Sequence, residues 1–161
     1  MSMRPRFALQ DEQDRDVVGM NIIGSCHCGN ISYSLEWPDD SGDIPARACG
    51  CTFCVKHGGV WTSHPQATLR ARVTESGMVA RYAFGTETAS FLVCARCGVA
   101  PLVTSLIDEI TYAVVNVNSF DGVDRSRIRP QPATFEGEDL QSRLDRRRRN
   151  WIGNVILERG S

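Results

Sequence analysis

Seven cysteines stand in three tight clusters, and clusters of this kind are typical of metal ligands. They are Cys26, Cys28, Cys49, Cys51, Cys54, Cys94 and Cys97. An odd number does not suit a complete disulfide framework, and the C-x-C and C-x-x-C spacings favour zinc thiolates in a reduced protein. The simpler alternative is a set of buried free thiols, or a redox-active pair at Cys94 and Cys97. We predict that these cysteines bind zinc.

The first and last clusters share the residue that follows them. Both "GSCHCGN" and "VCARCGV" place a glycine, Gly29 or Gly98, directly after the last cysteine. A glycine there permits a tight turn in which backbone N–H groups point at thiolate sulfur atoms. Because such a site joins distant parts of the chain, its metal-binding free energy contributes to folding. We therefore predict one closed, structural zinc site with four ligands: Cys26, Cys28, Cys94 and Cys97.

The middle cluster, Cys49, Cys51 and Cys54 in "ACGCTFCVKHGG", supplies only three ligands. Either His57, three residues after Cys54, completes the coordination, or the fourth position stays open. A zinc ion with three protein ligands and an open position is typical of a catalytic site. Because three thiolates suit a soft ligand, a thiol would bind there in its deprotonated form. The sequence thus predicts two Zn²⁺ ions per chain, one structural and one catalytic.

Four segments together resemble the glutathione-dependent formaldehyde-activating enzyme (GFA) family. They are "GSCHCGNISY", "CGCTFCVKHGG", "VCARCG" and "VNVNSFDG". The resemblance extends over roughly residues 22 to 122 and includes all seven cysteines. It implies a zinc-stabilised β-tent, a structural zinc on the first and last cysteine pairs, and a second zinc on the triplet that takes the substrate thiol. Near the C-terminus, "PATFEGEDL" stands in place of the family's His-Ile segment.

The chemistry of thiolates agrees with what the resemblance implies. A thiolate is the nucleophile that adds to an aldehyde carbon, and the reverse step breaks the same carbon–sulfur bond. The implied function is a zinc-dependent carbon–sulfur lyase, similar to S-(hydroxymethyl)glutathione synthase. Its partners are glutathione or a similar small thiol and an aldehyde such as formaldehyde. The alternative is a non-catalytic, zinc-stabilised binding module on the same fold.

Candidate substrate-binding residues lie close to the cysteines in sequence. Lys56, Arg47 and Arg96 carry the positive charge that a glutathione carboxylate needs, and Trp61 closely follows the triplet. The run from Arg146 to Arg149 also suggests a nucleic-acid-binding patch, but neighbouring acidic residues favour a solvated helix face.

The elements that position the cysteines are predicted to be mainly strands. "NISYSLEW" alternates apolar and polar side chains, as a half-buried strand does. Runs of β-branched and aromatic residues predict further strands in "MVARYAF", "SFLVC", "APLVTSLI" and "ITYAVVNV". These patterns predict a mainly β fold, with a short C-terminal helix within "EDLQSRLDRRRRNWI" that ends before Gly153, and the GFA resemblance implies that the strands form a tent of antiparallel sheets.

Length and composition set the remaining expectations. The chain has 161 residues, of which 42% are hydrophobic and 23% charged, as is ordinary for a globular protein. We expect a loose N-terminal arm over residues 1–18 and a single domain over 19–161. A formal net charge of −1 gives no reason to expect nucleic acid or an anionic membrane as a partner. The N-terminal residues lack the apolar run of a secretory signal, which predicts a cytoplasmic protein.

Overall fold

Alternating burial defines the first hairpin of the structure, a computed structural model that describes residues 19–38 and 42–160. The hairpin consists of β1 (Met20–Ser25) and β2 (Ile31–Trp37). In β2 the four apolar residues at alternate positions are each at most 5% exposed. Because side chains on a strand alternate between its two faces, this pattern fixes the register against β1. The half-buried strand predicted here is confirmed, whereas the predicted arm over residues 1–18 lies outside the described residues.

The described residues form twelve strands and two α-helices. After the first hairpin come β3 (Ile44–Cys49), α1 (Thr52–His57), β4 (Val60–Thr62), β5 (Thr68–Val73), β6 (Val79–Tyr82), β7 (Ser90–Cys94), β8 (Leu102–Ile107), β9 (Ile110–Asn116), β10 (Phe120–Asp121), β11 (Ile128–Ala133), α2 (Leu140–Asn150) and β12 (Asn154–Arg159). Single 3₁₀ turns occur at Ser76–Met78, Val117–Ser119 and Arg125–Arg127. The prediction of a mainly β fold is confirmed. Within the described ranges, neither helix has the length and apolar character that crossing a membrane requires.

The strands form two sheets. A five-stranded sheet has the order β10-β1-β2-β5-β12, and a seven-stranded sheet has the order β11-β3-β4-β9-β8-β7-β6. Most neighbouring strands are antiparallel, as predicted. Two pairs are parallel, namely β3 with β11 and β5 with β12. In both parallel pairs the later strand lies at a sheet edge, and the sequence analysis predicted neither of these late strands.

The edge strand β11 brings a distant part of the chain to the middle cysteine cluster. It contains Pro130 and Pro132, and proline is confined to edge strands because it lacks a backbone N–H. In the parallel register, Ala133 lies opposite Cys49. The N–H of Gly50 donates to the Ala133 carbonyl at 2.9 Å. The residues that follow β11 therefore begin beside this cluster.

The two faces of the seven-stranded sheet bury different apolar clusters. The larger cluster contains residues of both sheets, such as Leu35 of β2 and Leu102 of β8. The smaller cluster comprises Cys54, Trp61, Phe91, Val103, Val114 and Trp151. Leu102 and Val103 are consecutive in β8 and therefore point to opposite faces of the sheet. The sheet thus separates the main core from a second apolar region.

Helix α2 lies against the face that carries this second region. Asp139 caps its N-terminus and accepts a hydrogen bond from the Ser142 N–H at 2.8 Å. Just beyond its C-terminus, Ile152 forms an isolated bridge with Ala113 of β9. The short C-terminal helix is confirmed, and it ends before Gly153 as expected.

We predict that Leu102→Ala destabilises the protein far more than Leu106→Ala. Both leucines belong to β8, but Leu102 is 1% exposed and Leu106 is 72% exposed. Truncating a buried leucine lowers the free energy of unfolding by about 2–5 kcal/mol, whereas an exposed one changes it by about 0.5 kcal/mol or less. Urea unfolding of the zinc-loaded protein measures both changes. Equal losses in the two variants would contradict the assignment of Leu102 to the core.

Candidate functional site

Four cysteine sulfur atoms from two hairpins meet at one point. Cys26 and Cys28 lie in the turn between β1 and β2, whereas Cys94 and Cys97 lie at the turn between β7 and β8. Their Sγ atoms all lie within 4.8 Å of one another. The Cys26–Cys28 and Cys28–Cys94 sulfur separations are 3.8 Å and 3.5 Å. Because the two hairpins belong to different sheets, this four-cysteine cluster joins the sheets.

The two turns of the four-cysteine cluster share their backbone geometry. In each turn the N–H of the first cysteine donates to the carbonyl five residues later, at 2.8 Å for Cys26 and 2.9 Å for Cys94. Gly29 and Gly98 have φ values of 84° and 82°, a left-handed conformation that favours glycine. The N–H of Ile31 donates to the Cys26 sulfur at 3.2 Å. This geometry agrees with the tight turns expected around thiolate ligands.

The donor set of the four-cysteine cluster fits a tetrahedral zinc ion. A Zn–S bond of about 2.3 Å in tetrahedral geometry separates the ligand sulfur atoms by about 3.8 Å. The two separations given above are close to this value. All seven cysteines of the described chain are free of disulfide bonds, so their sulfur atoms remain able to bind a metal.

The second cluster is built from one short segment. Strand β3 ends at Cys49, and Cys51 is the N-cap of α1, which contains Cys54. The three Sγ atoms lie within 4.8 Å of one another. The N–H of Cys54 donates to the Cys51 sulfur at 3.4 Å, so the first turn of the helix brings these two residues together. We call these residues the three-cysteine cluster.

Cys49 and Cys54 shift each other's pKa in opposite directions. The Cys54 thiol donates to the Cys49 sulfur, which lowers the pKa of Cys49. The same hydrogen bond raises the pKa of Cys54, and burial raises it further. A cation that binds among these sulfur atoms must therefore displace a proton, as is usual for thiolate metal sites.

His57 lies outside the three-cysteine cluster. Its exposed ring stacks on the Phe53 ring, with centroids 5.3 Å apart and planes inclined by 10°. Among residues 19–38 and 42–160, the potential metal-binding group at this position contains no histidine or carboxylate. Of the two alternatives that the sequence left open, the structure thus favours three protein ligands over ligation by His57.

The three-cysteine cluster opens onto a cavity of about 470 Å³. This volume lies within the range of about 300–1,000 Å³ that is typical of small-molecule sites. All six residues of the smaller apolar cluster line the cavity. The residues that line it include Cys49, Cys51 and Cys54 but no member of the four-cysteine cluster. Of the two clusters, only this one borders the cavity.

Four arginines line the same cavity. They are Arg47 of β3 and Arg143, Arg146 and Arg147 of α2. Arg146 donates to both carboxylate oxygens of Glu138, with closest distances of 3.0 Å each. This hydrogen-bonded guanidinium group lowers the pKa of Glu138. Arg146 also lies over the Phe135 ring, 3.7 Å from its centroid.

The interpretation of Arg146 to Arg149 as a solvated helix face is wrong at Arg147. This side chain is only 5% exposed. Its guanidinium group lies over the Trp151 ring, 5.0 Å from the centroid, and donates to the Ser105 hydroxyl at 3.2 Å. Packing against the sheet therefore replaces water around Arg147.

The cysteine pattern matches that of a known protein family. A family model described as "Glutathione-dependent formaldehyde-activating enzyme" (GFA) matches residues 21–138. The chain belongs to the GFA family. The matched region contains all seven cysteines of this GFA-family chain and ends before α2 begins. The resemblance inferred from the cysteine motifs is confirmed.

Similarity to individual known proteins is limited. A solved structure of a Rhodobacter sphaeroides protein is 27% identical to the GFA-family chain, covers 65% of this chain and 92% of its own, and has a TM-score of 0.47. No curated protein matches the chain.

The candidate substrate-binding residues fall in different places. Trp61 and Arg47 line the cavity. Lys56 is exposed on α1 and borders a separate surface groove. Arg96 forms an ion pair with Glu75 at 2.9 Å, beside the four-cysteine cluster. Two of the four candidates thus lie where a ligand of the three-cysteine cluster would bind.

Sequence reasoning missed the contribution of α2 to the cavity. Arg143, Arg147 and Trp151 all line it, and none was proposed as a site residue. They are spaced at i, i+4 and i+8, which places them along one side of a helix. This spacing could have predicted the contact, because an aromatic residue on the same side of a helix as two arginines indicates that this side packs against the protein.

We expect two zinc ions per chain in the reduced, fully loaded protein, because the sulfur atoms form two separate clusters. Elemental analysis after reconstitution with excess zinc and removal of loosely bound metal measures this ratio. A value of one metal per chain would contradict the division into two sites.

Loss of one ligand should affect the two clusters differently. Cys94→Ser removes a ligand from the cluster that joins the two sheets, and structural zinc sites contribute about 10–16 kcal/mol against a domain stability of about 5–15 kcal/mol. We expect this variant to be largely unfolded. Cys51→Ser affects a cluster that closes only a short loop, so it should stay folded and retain about one zinc ion.

Circular dichroism, melting temperature and metal content of the two variants provide the measurement. Unfolding of Cys51→Ser together with normal folding of Cys94→Ser would reverse the assignment of the structural and functional clusters.

Proposed function

We propose that this protein is a zinc-dependent carbon–sulfur lyase of the GFA type. It makes or breaks the bond between the sulfur of glutathione, or of another small thiol, and the carbon of an aldehyde. Cys26, Cys28, Cys94 and Cys97 hold a structural zinc ion, and Cys49, Cys51 and Cys54 hold a catalytic one. Residues 19–161 act as a single domain, and the reduced state of the thiols suits the cytoplasm.

One observation carries this proposal. The three-cysteine cluster borders a cavity of about 470 Å³, and the four-cysteine cluster does not. A structural zinc site has four protein ligands, whereas a catalytic one keeps a position for substrate. The number of cysteines and the access to a cavity therefore support the same division of roles.

The residues around the three-cysteine cluster suit a reaction of a thiol with an aldehyde. A zinc ion held by three thiolates supplies a soft Lewis acid that favours the thiolate form of a bound thiol. The sulfur electron pair forms the new bond to the aldehyde carbon, and the thiol proton ends on the former carbonyl oxygen. Trp61, Phe91 and Trp151 give the cavity apolar walls that exclude water from the reacting sulfur. The reverse reaction breaks the same bond and returns the thiol.

We expect glutathione to bind the zinc-loaded protein at least about tenfold more tightly than S-methylglutathione. The methylated sulfur is a neutral thioether, so it cannot form the charged interaction that a thiolate forms. Isothermal titration calorimetry with the two compounds measures the difference. Cys51→Ser is the control, because loss of a ligand should abolish the preference for the free thiol. Equal affinities for both compounds in the unchanged protein would exclude binding through sulfur.

A kinetic experiment separates the lyase from a binding module on the same fold. Two-dimensional exchange NMR measures the rate at which formaldehyde and glutathione interconvert with their S-hydroxymethyl adduct. Zinc-loaded protein should accelerate this exchange, and Cys51→Ser should not. Tight glutathione binding without acceleration of exchange would identify a binding module instead.

A further inference from the structure

Two of the arginines that line the cavity have no carboxylate partner. Across residues 19–38 and 42–160, no ion pair within 4 Å involves Arg147 or Arg47. Arg147 donates through Nη1 to the hydroxyl groups of Thr88 and Ser105, at 2.8 Å and 3.2 Å. Arg47 donates through Nη2 to the Ser63 hydroxyl at 2.9 Å. All three partners are neutral, so neither guanidinium group is in contact with a negative charge; Cys49 near Arg47 and Glu138 near Arg147 act only at longer range.

The other two arginines of the cavity wall, Arg143 and Arg146, do have a carboxylate partner. Arg146 forms a bidentate pair with Glu138, and Arg143 lies 3.7 Å from the same carboxylate. The carboxylate that lines the cavity itself is Glu136, which is exposed. Counting Glu138, Glu136 and the single negative charge of a zinc ion held by three thiolates against the four arginines still leaves the cavity lining with a net positive charge.

Burial makes the charge of Arg147 unusual. Its side chain is 5% exposed, and its Nε atom is buried without a hydrogen-bond partner. Desolvation lowers the pKa of Arg147 to about 10, which still leaves the guanidinium protonated at neutral pH. A buried cation is costly unless an anion and hydrogen bonds compensate it. Because Arg147 lines a cavity, an anion that enters the cavity can supply this compensation.

The rest of the wall determines what kind of anion fits. Trp61, Phe91 and Trp151 belong to the buried apolar cluster, and Phe84 and Phe135 complete an aromatic lining. Aromatic walls favour an apolar body, whereas planar guanidinium groups favour a carboxylate, which they bind through parallel hydrogen bonds. A strongly hydrated inorganic anion would leave these aromatic surfaces without contacts.

We propose that this cavity binds a small carboxylate with an aromatic or otherwise apolar body, that Arg147 receives its carboxylate group, and that Arg47 adds positive charge to the same wall. Arg147 belongs to α2, which lies beyond the residues that the GFA family model matches. That this ligand is the substrate rests on the proposed function, and in that case the thiol or the aldehyde carries the carboxylate. Binding of the carboxylate itself does not depend on the reaction.

The test compares hydrocinnamate with hydrocinnamamide, which has the same aromatic body without the negative charge. Neither probe contains a thiol, so neither reports on thiol chemistry. In calorimetry with the zinc-loaded protein, hydrocinnamate should bind at least about tenfold more tightly, as is typical of hydrogen bonds to charged groups. Equal affinities, or no binding of hydrocinnamate, would overturn the proposal.

Variants of α2 assign the effect to a residue. Arg147→Gln should weaken hydrocinnamate binding at least about tenfold and leave hydrocinnamamide binding within about threefold. Arg149→Gln is the matched control, because Arg149 is exposed on the same helix and does not line the cavity. A purely structural role of Arg147 would weaken both probes equally, which would overturn its assignment as the carboxylate-binding residue.

Protein folding and glutathione binding are measured alongside the binding of the two probes. If the melting temperature shows that Arg147→Gln does not fold, Arg47→Gln replaces it, with the same selective loss expected. Glutathione binding is measured in the same samples. Failure of glutathione to bind through sulfur, together with selective hydrocinnamate binding, would contradict the proposed function and uphold the carboxylate site.

Discussion

The four-cysteine cluster is the constraint on which the arrangement of the two sheets depends. Cys26 and Cys94 are fully buried and belong to the main apolar core, so their thiols are out of reach of water. Burial raises the pKa of Cys26 to about 12, which keeps that thiol neutral in the absence of a cation. A metal ion bound there would favour the thiolate form of Cys26 and would join the two sheets through metal–sulfur bonds. The buried Asn30 extends this link, because it exchanges hydrogen bonds with the backbone of Glu75 in both directions.

The cavity exists because the seven-stranded sheet is apolar on both faces. One face completes the main core with the five-stranded sheet, and the other bears the aromatic and valine side chains around the three-cysteine cluster. A cavity on this second face leaves the packing of the main core intact. The loop after β3 and helix α1 hold the sulfur atoms at the edge of this face, where the backbone of Gly50 is anchored to β11. The main core and the cavity thus lie on opposite faces of the same seven-stranded sheet.

Features that rest on local chemistry could be predicted from the sequence, and features that rest on distant contacts could not. The cysteine spacing and the glycines that follow it, Gly29 and Gly98, predict the two turns of the four-cysteine cluster from local sequence alone. The alternation of apolar and polar residues in β2 likewise indicates, from the local sequence alone, which face of the strand is buried. By contrast, "IRPQPA" carries two prolines and gives little indication of a strand, and only its parallel pairing with β3 makes it one. The burial of Arg147 depends on Ser105 of β8, which becomes its neighbour only when α2 packs on the sheet.

The origin of the cavity wall has a consequence for how such a protein can diverge. Every cysteine precedes residue 98, whereas three of the four arginines of the wall belong to the eleven residues of α2. The cysteines and the arginines of α2 are therefore encoded by separate stretches of the gene, although Arg47 lies beside the three-cysteine cluster in sequence. Substitutions confined to the helix can exchange one ligand for another while every sulfur atom stays in place. Related proteins can therefore keep the same two cysteine clusters while the residues that select the ligand differ.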